Sequence, residues 1–293
     1  MGVGALKKEC QFNGRGGNFH YIDWGGRQPL AHFSHATGLC AAVYTPLVRH
    51  LTDDLHVLGM DDRGHGQTTA AADPARLKGW TIFARDMERF LDSWNAPFVL
   101  MGHSRGAVSS MLLAHKRPGL VKALVLIDPT IISRAFMGFL YLSKKAGLLK
   151  HIPIASRAAK RRAVWPDLQT IHAAYQKKSM FRTWDPECLD GYLEDGTRDN
   201  GDRQIRLSCT PAWESRCFSV YPTDLWRFIP RVQQPMLVVY GGRSDTFVER
   251  AAKQLQKAVP QARFHCFQEN GHFVPMEKPR DVARVIRDFL KSI

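Results

Sequence analysis

No apolar run in the sequence reaches the roughly 18 residues that suggest a membrane-spanning helix. The opening MGVGALKKECQFNG lacks the apolar core of a secretory signal, and Leu6 stands where a myristoylation pattern needs Ser or Thr. Cysteine is sparse: six residues, at 10, 40, 188, 209, 217 and 266, with no Cys-x-x-Cys pair. That argues against a disulfide scaffold or zinc knuckle, and a reducing cytoplasm is expected. His-Glu-x-x-His, Gly-x-x-x-x-Gly-Lys-Ser/Thr and Gly-x-Gly-x-x-Gly are all missing, so no metal and no cofactor is expected. Acidic residues are outnumbered, 27 Asp and Glu against 41 Lys and Arg, for a net charge of +14. The imbalance is local. Between Ile131 and Pro166 stand Arg134, Lys144, Lys145, Lys150, Arg157, Lys160, Arg161 and Arg162, with no Asp or Glu.

What is present is a rhythm. A hairpin pattern spans Gln11–Trp24, and short apolar runs follow at Leu30–Ala36, Leu55–Asp61, Phe98–Met101 and Ala123–Asp128. Helical spacing fills Gly79–Trp94 and Ala107–Lys116. After Asp128 the strand rhythm stops, and the middle of the chain is helical in character, with a turn at Asn200-Gly201. It resumes at Met236–Gly242, then helix Val248–Val259, strand Arg263–Gln268 and helix Pro279–Ile293. Strands alternating with helices predict an α/β fold, a mostly parallel sheet with helices on both faces. At 293 residues the chain suits one large domain, or one domain with an insertion.

The chemistry begins at Gly102-His-Ser-Arg-Gly106, where Ser104 stands between two glycines, after a strand and before a helix. A turn that tight lifts the hydroxyl above the carboxyl ends of the strands, where open α/β sheets put their ligands. The plain alternative is a glycine-rich turn with a capping serine. A serine nucleophile needs a base, and His272, in the turn Asn270–Pro275 past the last strand, is placed to serve. The base needs an orienting acid. Asp245 follows the strand Met236–Tyr240 and could equally be a helix N-cap; Asp128, also at a strand end, is its rival.

The order Ser104, Asp245, His272, each just after a strand, resembles the α/β-hydrolase superfamily, and His35-Ala-Thr-Gly38 and Asp62-Arg-Gly-His-Gly66 are similar to two more of its signatures. The resemblance implies Ser104 as nucleophile, His272 as base and then acid, and Asp245 as the orienting carboxylate. It also implies an oxyanion hole from the backbone N–H groups of Thr37 and Arg105, with Ala36 where the family usually has glycine. Residues 1–130 and 225–293 would form the hydrolase core, and 131–224 a helical cap. A serine nucleophile suits a carbonyl, so hydrolysis of a small-molecule carboxylic (acyl) ester is expected. Thioester, lactone or carbon–carbon hydrolysis and a hydrolase-like receptor are the alternatives. The basic segment reads as a solvated helix face or as a surface that attracts anionic lipid. Nothing resembles a nucleic-acid module, so no nucleic acid is expected.

Overall fold

The computed structural model describes residues 7–146 and 152–293. A hairpin, β1 (Lys8–Gly14) and β2 (Gly17–Gly26), precedes β3 (Leu30–Ser34), β4 (His56–Met60), β5 (Phe98–His103) and β6 (Val121–Ile127). Three short strands follow: β7 (Val164–Trp165), β8 (Thr197–Gly201) and β9 (Gln204–Leu207). Two more, β10 (Met236–Gly241) and β11 (Arg263–Phe267), complete the set. The main sheet has eight strands in the order β1-β2-β4-β3-β5-β6-β10-β11, antiparallel at β1/β2 and β2/β4 and parallel thereafter.

The helices are α1 (Thr45–Val48), α2 (Thr81–Asp92), α3 (Arg105–Lys116), α4 (Arg134–Lys145), α5 (Pro153–Ala159) and α6 (Leu168–Gln176). They continue as α7 (Pro186–Asp195), α8 (Pro211–Ser219), α9 (Leu225–Phe228), α10 (Glu249–Ala258), α11 (Val274–Glu277) and α12 (Pro279–Leu290). Why the chain layers this way follows from the period of two along each central strand. Leu100, Leu124, Leu126 and Val238 pack with Phe83 and Phe90 of α2, Val108 and Met111 of α3, and Leu255 of α10. Their neighbours Val99, Met101, Val125, Ile127 and Val239 point to the other face, against Leu47 and Val48 of α1 and Ile286 and Phe289 of α12. Strands apolar on both sides can be stable only between two helix layers.

The segment between β6 and β10 holds α4 to α9, as its spacing predicts, and also a three-stranded antiparallel sheet in the order β7-β9-β8. That sheet was not legible. β8 reads Thr-Arg-Asp-Asn-Gly and is mostly exposed, so it carries no apolar alternation. All six cysteines are free thiols, four of them buried. No helix of the described residues is long and apolar enough to cross a membrane.

The sheet order fixes where a ligand can sit. The chain leaves β3 for β4 on one side and later returns to β5 on the other, so β3 and β5 are neighbours whose outgoing loops diverge. A crevice opens at such a switch point. The loop beginning at His35 and the turn at Ser104 flank it.

Candidate active site

Ser104 has φ 56° and ψ −117°, a left-handed conformation that a side chain bears only when its surroundings enforce it. They do. A Cβ at Gly102 would lie 2.5 Å from the Gly106 carbonyl carbon, and one at Gly106 would collide with the Ser34 carbonyl. The two glycines let β5 turn directly into α3 while α3 packs against β3. Ser104 is 9% exposed and stands at the N-terminus of α3.

His272 lies in the turn between β11 and α11. Glu277 ties that turn, accepting from Asn270 Nδ2 at 2.8 Å and from the Gly271 amide at 3.4 Å. His272 Nδ1 is 2.6 Å from Asp128 Oδ1, and Nε2 is 3.1 Å from Ser104 Oγ. A carboxylate only accepts, so Nδ1 carries the proton and Nε2 is left to accept from the serine. Thr130 Oγ1, 2.9 Å from Ser104 Oγ, is then the donor to the serine oxygen and holds it in line.

The carboxylate that pairs with His272 is therefore Asp128, where Asp245 was expected. Asp245 is exposed, and its Oδ1 accepts only a local bond from Thr246 Oγ1 at 3.2 Å. At that turn it is Ser244 that faces inward, donating to Asp128 Oδ1 at 2.7 Å, while the Gly241 amide donates to Oδ2 at 3.0 Å. Asp128 is wholly buried and has φ 40°. Strand order explains the choice: β6 lies between β5 and β10, one strand nearer the nucleophile. The only sequence signal, an Asp directly ending a strand that is apolar but for Lys122, did not separate Asp128 from Asp245. Ser244 and Thr130 had none.

Thr37 and Arg105, expected as oxyanion donors, are brought together through a side chain whose role the sequence did not disclose. The Arg105 N–H is the first of α3 and has no partner inside the helix. Its guanidinium, 1% exposed, folds back under the loop: Nε donates to Thr37 Oγ1 at 3.0 Å and Nη2 to Asp62 Oδ2 at 2.6 Å. The group also lies over the Phe83 ring, 4.1 Å from its centroid. The Arg105 side chain thus ties down Thr37, the residue expected to carry the other amide. The loop Asp62–Gly66 serves here as scaffold.

A second chain of bonds joins the same loop to the base. The Ala36 amide donates to Tyr44 Oη at 3.1 Å, and Tyr44 Oη lies 2.8 Å from His103 Nδ1. His103 Nε2 is 2.9 Å from the His272 carbonyl oxygen. Burial pushes the Tyr44 hydroxyl up and, with His272 nearby, the His103 imidazole well down. Both are neutral at pH 7, so Tyr44 donates to Nδ1 and His103 donates from Nε2. The segment between β6 and β10 touches this loop at Gly38: Arg161 pairs with Glu214, whose Oε1 would lie 2.5 Å from a Cβ at Gly38. Among the described residues, no group of three His, Cys, Asp or Glu side chains is arranged to hold a metal ion.

The profile of the alpha/beta hydrolase fold family matches residues 33–279. The chain is 33% identical to a 2-(acetamidomethylene)succinate hydrolase of Mesorhizobium japonicum over 269 residues, 91% of this chain and 90% of that protein. It is 29% identical to lipase LipV of Mycobacterium tuberculosis over 262 residues, 85% and 88% of the two chains. With an (E)-2-((N-methylformamido)methylene)succinate hydrolase of Acinetobacter baylyi it shares 31% identity over 109 residues, 37% of this chain and only 40% of the relative. A crystal structure of E-2-(acetamidomethylene)succinate hydrolase superposes with a TM-score of 0.79 at 20% identity, covering 97% of this chain and 99% of the other.

Proposed function

Because this chain belongs to the α/β-hydrolase fold family, we propose that it is a serine hydrolase that cleaves a carboxylic ester through an acyl-Ser104 intermediate. The observation that carries the reading is His272 held between Asp128 at 2.6 Å and Ser104 at 3.1 Å. Nε2 takes the serine proton as Oγ attacks the carbonyl carbon. Negative charge then gathers on the carbonyl oxygen, which the amides of Thr37 and Arg105 stabilise. Asp128 holds the tautomer and steadies the imidazolium. His272 protonates the leaving alcohol, then activates the water that frees the acid and Ser104. The inserted segment acts as a cap, with Glu214 and Arg161 packed on the oxyanion loop. Six free thiols support a reducing compartment such as the cytoplasm.

A second reading has one observation in its favour. The M. japonicum relative is named for a substrate with an acetamido group on a dicarboxylic acid, so the same triad is read alternatively as cutting an amide of a small anionic acid. A p-nitrophenyl acyl ester series, run beside 2-(acetamidomethylene)succinate, separates the two. Under the ester reading the esters turn over, and Ser104→Ala lowers turnover by up to ~10⁶. A fluorophosphonate should label wild type once, at Ser104. Labelling elsewhere, or undiminished turnover in Ser104→Ala, would overturn the assignment. Turnover of the amide alone would replace the ester.

A further inference from the structure

The hydrolytic chemistry leaves the outer face of α4 without a role. Met137 and Leu140 point inward, while Phe136, Phe139, Tyr141 and Leu142 are 51%, 62%, 44% and 66% exposed. The Phe136 and Phe139 rings stack with centroids 5.9 Å apart. Four large apolar side chains clustered on one 12-residue helix mark an interface rather than ordinary surface scatter.

Its rim is cationic. Lys145 Nζ lies 4.8 Å from the Tyr141 ring centroid. At the other end the Arg134 amide donates to Gln254 Oε1 of α10, at 2.9 Å. Around Gln254, α10 exposes Arg250, Lys253 and Lys257, and its Glu249 is paired with Lys253. The sequence around α4 adds cations and no carboxylate from Ile131 to Pro166. Two of those cations need separating out. Arg161 is tied to Glu214, Tyr175 and Tyr192 and belongs to the packed interior of the segment. Lys150 lies outside the described residues.

The geometry points to an anionic membrane surface as the partner of this face. Phe136, Phe139 and Leu142 enter the boundary between headgroups and acyl chains, and Lys145 and the α10 cations meet anionic headgroups. A second copy of the chain fits less well, because a two-fold contact would bring like cations together. The inference rests on surface chemistry and stands whichever acyl bond the site cuts.

The test is cosedimentation of the full chain with phosphatidylcholine vesicles, with and without phosphatidylglycerol. Wild type should bind the phosphatidylglycerol vesicles at ~0.1 M salt. Binding should fall several-fold at ~1 M, as the Debye length shrinks from ~10 Å to ~3 Å. Phe139→Ser with Leu142→Ser should weaken it by at least ~10-fold, and Lys145→Glu with Arg250→Glu by ~10-fold. Both double variants should keep the wild-type circular dichroism spectrum and thermal midpoint, which shows them folded. Ser104→Ala should bind vesicles like wild type, so loss of the catalytic reading and loss of this one are distinguishable. Wild type that ignores phosphatidylglycerol vesicles at ~0.1 M salt overturns the inference, as do double variants that bind undiminished. A vesicle-free dimer that Phe139→Ser with Leu142→Ser dissolves would assign the face to self-association instead.

Discussion

At the carboxyl edge of the sheet Asp128 is wholly buried and both of its oxygens accept hydrogen bonds, whereas on α4 Phe139 is 62% exposed and its ring stacks on Phe136 of the same helix. The two regions differ in what they must do. A site that stabilises developing charge needs donors fixed in advance, so each side chain there is tied by a second. A face that waits for a partner must leave its apolar groups open, and no packing holds them. Substitutions at the edge should therefore change turnover steeply, and substitutions on α4 should change association alone.

The sharpest way to break that contrast is at the two aspartates. Asp128→Asn should lower turnover by ~10⁴, the size of the loss when the orienting acid of a triad becomes an amide. Asp245→Asn, exposed and bonded only to Thr246, should stay within about twofold of wild type. Steady-state assays of both purified variants decide it, and the reverse ranking would return the acid to Asp245.

Next comes the guanidinium beneath the oxyanion loop. Arg105→Met keeps the amide but releases Thr37, and should cost ~10²-fold in kcat, near the loss for one oxyanion donor, with little change in KM. It also strands the Asp62 carboxylate, which is 5% exposed, at about 3–5 kcal/mol of stability. Adding Asp62→Asn should recover much of the stability and little of the turnover. Full recovery of kcat in the double variant would mean that Arg105 acts on stability only.

The smallest effect concerns acid. His32 on β3, 1% exposed, is pushed down to about 4 by burial, from an ordinary 6.5. The folded state resists the proton that the unfolded chain accepts, so stability falls as pH drops from 6.5 towards 4. At ~1.36 kcal/mol per pH unit, the loss approaches ~3 kcal/mol. His32→Gln should flatten that part of the stability-against-pH curve in urea titrations. An unchanged slope would mean that His32 ionises freely in the fold.

The alternating apolar strands, the Gly102–Gly106 turn and the histidine past the last strand were legible because each is a local pattern. Periodicity reports a face, and a Ser between two glycines reports a turn with no room for side chains. Ser104 and His272 could be singled out on that basis and lie side by side in the fold, and Thr37 and Arg105 were expected through the family resemblance. The carboxylate beside His272 could not be singled out. Asp128 and Asp245 both follow apolar strands, and only the order β5-β6-β10 decides which stands beside the base. The β7-β9-β8 sheet was hidden for a related reason: its strands are short and polar, so pairing, not pattern, defines them. The same holds for Thr130, Ser244, Tyr44 and His103, ordinary residues in the sequence that hydrogen bonds between distant segments turn into supports. Sequence by itself determined the elements of the main sheet and the helices that flank it, because side-chain sterics and hydrophobic period act over a few residues. Tertiary structure decided the partnerships, because a hydrogen bond across 144 positions of chain exists only once the strands between are packed in order.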